Sequence, residues 1–165
     1  MWNLAVLTAL VSLAGYYAVA DKAGLEAQSQ ARADSLAEGM ALYRDAVARY
    51  FAGHPGGQRS VDLATLRASG ALPAWSPLNG AAAATPWANY RAAAGTIYIY
   101  AAQAPAENIV ADVVRLSRNS VLAGVYRSGD STLYSPIFGD TRIPLPTPAD
   151  AAIPDGSPVW IVAAQ

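Results

Sequence analysis

Residues 2 to 20, WNLAVLTALVSLAGYYAVA, contain no charged side chain, and sequence compatible with a helix runs on from them without a turn signal to about residue 52. At ~1.5 Å of rise per residue the uncharged run spans roughly 28 Å, which matches a hydrocarbon core of about 30 Å. Trp2, Leu4, Leu7, Leu10, Leu13, Tyr16 and Tyr17 provide most of its bulk. The run reads as a transmembrane anchor, residues 1–20. It carries a single domain, residues 21–165, whose first element continues the same helix over 21–52. A cleaved signal peptide is the rival reading, because Ala18-Val19-Ala20 before Asp21 has the small-x-small form of a cleavage site. Against it stand the missing basic start and a run longer than the ~7–15 residues of a signal-peptide core. Lys22 and Arg32 follow the run and no Lys or Arg precedes it, so the positive-inside rule alone would leave the C-terminal part in the cytoplasm. Two charges with Asp21 and Glu26 among them carry little weight, and the expectation is a retained anchor with an exported domain.

About 145 residues lie beyond the run, the size of one ordinary domain with a core, and a second domain is not expected. The 11 basic and 12 acidic side chains are scattered singly along that part. No basic stripe exists to neutralise phosphates, which disfavours nucleic-acid binding. The absence of cysteine excludes disulfides and thiolate metal sites, and a single histidine excludes a multi-histidine site. No cofactor and no small-molecule substrate is implied.

Leu36, Met40, Tyr43, Val47 and Tyr50 recur at spacings of 4, 3, 4 and 3, one face of a helix that Gly53-His54-Pro55-Gly56-Gly57 then ends. The small, polar stretch between Leu25 and Leu36 reads as a solvated stalk. Ser60 is the expected cap of a short helix, VDLATLRASG, closed by Gly70. Residues 74–89 read as a loop with Trp75 and Trp87 tucked onto the core. Tyr90 to Ala92 form a short strand, and Thr96-Ile97-Tyr98-Ile99-Tyr100 is the clearest strand by composition. Pro105 and Glu107 open a helix to about Arg118, and strands at 121–127 and 132–134 flank the hairpin signal SGDS. Five prolines between Ser135 and Pro158 impose an extended loop before a last strand, Val159 to Ala163. This order predicts an α+β fold: a long N-terminal helix, transmembrane and then amphipathic, packed on a small antiparallel sheet in the manner of a pilin-like head.

Three stretches, MALYRDAVARYFAGHPG (40–56), SVDLATLRASGALPAW (60–75) and IPDGSPVWIV (153–162), together resemble the small PilM family of thin, conjugation-associated type IV pili. NSVLAGVYRSGDSTLYSP (119–136) extends the likeness more loosely. The family is distinct from the actin-like cytoplasmic protein of the same name, and the chain has no GxxxxGK[ST] loop that would suggest otherwise. The resemblance implies an inner-membrane, single-pass component of pilus assembly with its C-terminal domain in the periplasm, whose partners are other pilus assembly proteins and which has no catalytic residues. A minor pilin or pseudopilin is the alternative, since SVDLATLRASGALP is also similar to segments of pilin heads; a soluble module released after Ala20 is another. A prepilin shows a basic leader, a glycine before the apolar stretch and a glutamate five residues into the mature helix. The chain begins MWNLAVL with none of these, which favours a permanent membrane component.

Nothing in the remaining chemistry selects an enzyme. His54 lies in a helix-ending turn, where capping is its ordinary use. Glu38 with Asp45, or Asp62 with Asp112, have no distinguishing spacing, and Ser117, Ser120, Ser128 and Ser131 lack a nucleophile-elbow context. The stripe from Leu36 to Tyr50 is either the core face of its helix or a seam to another subunit. Tyr98 and Tyr100 alternate with Ile97 and Ile99, and on an outer sheet face they would form an aromatic patch suited to protein binding. A charge at the centre of a spanning helix costs about 2.5–3.5 kcal/mol on insertion scales, so Leu10→Arg shifts the protein from the membrane pellet to the soluble or degraded fraction, read by fractionation after carbonate washing.

Overall fold

Helix α1 runs unbroken over Trp2–Gly53, a length set by a stretch free of proline and rich in Ala and Leu. The structure, a computed structural model, describes residues 2–163 except 57–58 and 81–84, and for residues 2–21 it describes the helical backbone alone. The side chains of the expected anchor, Trp2 to Tyr17, therefore lie outside the described residues. Among the described residues no helix is long and apolar enough to cross a membrane. From Lys22 to Arg32 the helix is almost wholly exposed, and burial sets in at Ala33.

After α1 come α2 (Leu63–Ala68), one turn of 3₁₀ helix (Pro77–Asn79), β1 (Trp87–Arg91), β2 (Ile97–Ala101), α3 (Val110–Leu116), β3 (Ala123–Val125), β4 (Thr132–Ser135), β5 (Gly139–Pro144) and β6 (Pro158–Val162). The strands form one antiparallel sheet in the order β1-β2-β6-β3-β4-β5. The fold is α+β, as the element order predicts. The last strand is inserted between two sequence-local pieces. Ile97 to Tyr100 pair with Val162 to Val159 on one side, and Ala123 to Val125 pair with Trp160 to Pro158 on the other. Pro158, which has no N–H to donate, stands at the first position of the strand.

Two cores flank the sheet. On one face Met40, Tyr43, Val47 and Tyr50 of α1 and Val113 and Val114 of α3 pack over Trp87, Ile97, Ile99 and Trp160. Ala33, Ala37 and Ala46 are also buried there, and their small side chains let neighbouring elements approach the helix closely. On the other face Tyr90, Tyr98, Tyr100, Val159 and Ile161 lie with Leu133 beneath the proline-rich segment, which contributes Leu145, Ala151 and Ile153. Strand β2 is consequently buried along its whole length.

Local chemistry moves several boundaries. Helix α2 is capped by Asp62, whose carboxylate accepts the Thr65 N–H at 2.7 Å, and not by Ser60; Val61 is held to Asn89, so the chain turns helical only beyond it. Helix α3 begins at Val110 and not Pro105. The Asn108 side chain accepts the Val110 N–H at 3.2 Å, and Glu107 accepts the Ser29 hydroxyl at 2.9 Å, which pins the preceding residues as a loop against α1. Strand β5 lies within the proline-rich region expected to be loop. Its Pro144 ends an edge strand, a place where a missing donor is tolerated. Trp87 is buried, but Trp75 is 73% exposed, a correction to the expected pair of tucked indoles. Asn79 donates to the Pro73 carbonyl at 2.5 Å and Arg67 Nε to the Leu78 carbonyl at 2.7 Å, a closed turn that points Leu72 and Leu78 inward and Trp75 out.

At Gly124 a side chain would drive into the carbonyl of Tyr134 across the β3–β4 pair. Backbone clashes of this kind cannot relax by rotamer change. Gly124→Ala therefore lowers stability by about 1–3 kcal/mol, measured as a shift in the denaturant midpoint at constant slope.

Candidate interaction surface

The stripe of α1 is turned inward. Met40, Tyr43, Val47 and Tyr50 are buried against the sheet and Leu36 is partly buried beside them, so none of the five lies on an open seam. Tyr98 and Tyr100 do lie on the sheet face opposite α1, yet they are only 6% and 8% exposed. The possible interface at these tyrosines is corrected: the segment after β5 folds back over them, and the Tyr98 hydroxyl donates to the Pro144 carbonyl at 3.0 Å. Burial pushes the phenol of each above its ordinary value.

The other candidates are occupied by the fold. The His54 ring stacks on Tyr50 at 4.3 Å and its Nδ1 lies 2.9 Å from the Tyr50 carbonyl, so Nδ1 carries the proton and caps the end of α1. Asp112 pairs with Arg115 on α3 while Asp62 caps α2, whose hydrogen bonds to Thr65 hold that carboxyl below the usual range. Glu38 is exposed, and Asp45 pairs with Arg44. Ser117 donates to the Val114 carbonyl, Ser120 accepts from the Leu122 N–H, and Ser128 and Ser131 lie exposed in the hairpin turn. Among the described residues no group of three or more His, Cys, Asp or Glu side chains is placed to hold a metal ion.

One polar centre gave no sequence signal. Asn89 on β1 is buried, donates to the Tyr43 hydroxyl and to the Val61 carbonyl at 2.7 Å each, and accepts the Val61 N–H at 3.0 Å. It ties α1, β1 and the approach to α2 together. A lone Asn in a presumed loop carries no pattern that would single it out.

Two open concavities stand out among the described residues. One, of about 460 Å³, lies between the last turns of α1 and the β1–β2 turn, with Phe51, Ile97 and Val162 as apolar lining and Arg49 and Arg91 as its charged residues. Arg49 Nη1 donates to the Ala71 carbonyl at 2.9 Å, and Arg91 Nη1 to the His54 carbonyl at 3.1 Å with its guanidinium over the Phe51 ring. Neither arginine has a carboxylate within ion-pair distance among the described residues. The other, of about 720 Å³, is lined by Glu107 and Asp155 as well as Arg127 and Tyr134, so its charges are mixed. Ile137 and Phe138, 52% and 56% exposed, project from the β4–β5 turn, where Ser135 Oγ accepts both of their N–H groups.

The family model for PilM matches residues 8–161. The chain belongs to the PilM family. PilM membership associates it with pilus biogenesis, and the match covers all but the last residue of the sheet together with most of α1. The crystal structure of a protein described as PilM from Escherichia coli B7A is similar in fold, with a TM-score of 0.50 at 21% identity over 82% of this chain and 94% of that one. A comparison with curated proteins gives no match.

Burial, partly offset by the Asn89 hydrogen bond, pushes the Tyr43 phenol up from 10.0 to about 12. A raised folded value means that the stability this residue gives is complete below pH ~10 and is lost as pH rises toward ~12, because the unfolded phenol ionises first. Between about pH 9 and about pH 11, Tyr43→Phe should remove about 1 kcal/mol of the wild-type loss in urea stability, whatever its effect at the lower pH.

Proposed function

We propose that the chain is a non-enzymatic, single-pass inner-membrane component of thin or conjugative type IV pilus assembly, with its α+β domain in the periplasm and acting through protein–protein contacts. The family match over residues 8–161 carries this reading. The uncharged run at residues 2–20 and the exposed helical stem from Lys22 to Arg32 support the membrane attachment, since a helix without a turn between them holds the domain at a set height above an anchor. Confinement beside other anchored proteins raises their effective concentration without any new contact. Every candidate acid, base and nucleophile considered is spent on capping, ion pairs or solvent exposure, which leaves binding as the activity the surface favours.

In its own host the protein stays with the inner-membrane fraction when pili are sheared away, and deleting its gene abolishes pili or the transfer that depends on them. Recovery of the domain in purified filaments would favour the minor-pilin alternative. Loss of residues 1–20 from the intact mass would favour a released module, and normal piliation in the deletion strain would remove the pilus role altogether.

A further inference from the structure

We propose that the groove between the end of α1 and the β1–β2 turn is a docking site for an acidic, apolar peptide segment of a partner protein. The inference names the chemistry of a contact within the assembly role above and rests on that role only for the identity of the partner.

Charge complementarity selects the occupant. Arg49 and Arg91 are the charged side chains of the groove among the described residues, and none of these contributes a carboxylate to its lining. Each guanidinium spends a hydrogen bond on a backbone carbonyl, of Ala71 and of His54, which orients it without neutralising it. A guanidinium has five N–H donors, so each arginine retains donors for a carboxylate. The remaining lining is apolar: Phe51 lies beneath Arg91, and Ile97 and Val162 come from the ends of adjacent strands. An apolar side chain beside an Asp or Glu fits both halves of that surface. The second concavity, with Glu107 and Asp155 in its own wall, shows no such excess of positive charge.

Position separates a peptide from a lipid surface. The groove lies at residues 48–52 of α1, about 40 Å along the helix axis from Lys22 at ~1.5 Å per residue. A membrane holding the N-terminus of the helix is therefore out of reach, whereas a neighbouring periplasmic domain is not. Extension of the sheet by a partner strand is disfavoured at both edges. Arg91 N–H is already bonded to the Arg59 carbonyl and Asn89 engages Val61 at the β1 edge. At the β5 edge a register shift and the left-handed Arg142 break the ladder. Side-chain recognition in the groove remains as the mode of contact.

The test is a titration of isotope-labelled full-length protein in detergent micelles with an N-acetylated, C-amidated hexapeptide of alternating Leu and Asp, and with the same peptide carrying Asn for each Asp. The Leu-Asp peptide should give saturable amide shifts at Ala93, Ala94, Gly95 and Val162 with a dissociation constant near or below about 1 mM, and the Asn peptide should bind at least about tenfold more weakly. Arg49→Gln and Arg91→Gln together, which retain a side-chain donor for each carbonyl and whose fold is checked by the unchanged amide spectrum elsewhere, should abolish the preference. Arg49→Lys with Arg91→Lys should restore part of it. Equal binding of the two peptides, shifts confined to other surfaces, no saturable shift, or a preference unchanged in the Gln variant overturns the proposal. So does the same set of shifts from inorganic phosphate or from phosphatidylglycerol vesicles, which would make the groove an anion or lipid site, or concentration-dependent shifts there without peptide, which would make it a self-association face. Binding with normal piliation in the deletion strain would keep the groove and remove the pilus role; the reverse pair of results would keep the role and remove the groove.

Discussion

Strand β6 holds the sheet together. Val159, Trp160 and Ile161 pair with β2 on one edge and bear on β3 at the other, so five residues at the end of the chain join the β1–β2 hairpin to the β3–β4–β5 meander. Without that strand neither piece has a neighbour across the gap, and two- or three-stranded fragments are marginal in water. Both faces of β6 are committed as well. Trp160 packs with α1, where the Arg44 guanidinium lies 4.6 Å from its ring, and Val159 and Ile161 enter the opposite core. Closing these contacts brings together residues more than a hundred positions apart, so the entropy of ordering the intervening chain must be met by the same burial.

Two-sided burial then explains the proline-rich segment. A sheet with Tyr90, Tyr98 and Tyr100 on its second face has more aromatic surface than water tolerates at no cost, and residues 145–153 cover it without forming a strand. The segment is held by short-range side-chain bonds: Thr147 donates to Asp150, Arg59 pairs with Asp150, and the Asp155 carboxylate accepts the Ser128 N–H. Hydrogen bonding from Thr147 depresses the Asp150 carboxyl, as bonds from the Arg142 N–H and Thr132 do for Asp140. Acidic residues here shape turns.

Helix α1 divides the molecule by what it faces. Its exposed stem from Lys22 to Arg32 contacts the domain through Ser29 and Glu107, its central part is the base of the larger core, and its end, capped by His54, frames the groove with Arg49 and Arg91. The apolar tip at Ile137 and Phe138, held by Ser135, lies beyond β4 on the same sheet and adds a further exposed apolar feature to the domain.

The amino-acid sequence by itself determined the long helix, the presence of an apolar stripe and the α+β class, because period and breaker residues are local properties: Leu36 to Tyr50 repeat at helical spacing, and the glycines and Pro55 that follow Ala52 favour a helix end. It also made the strands at Ile97 and Val159 visible through β-branched and aromatic content. The family likeness was legible for the same reason, resting on turns and packing motifs that lie close in the chain. Only the tertiary structure decided which surfaces are free. Tyr98 and Tyr100 were covered by a segment about fifty residues away, Trp75 was turned out by a hydrogen-bonded loop, and Asn89 became a buried hub through Tyr43 on α1 and Val61 in the approach to α2. Strand β5 formed from GDTRIP because β4 offered it an edge, against its own weak propensity. The pairing of Arg49 with Arg91 across a groove depends on the registry of α1 against β1, a long-range arrangement that no spacing along the chain encodes.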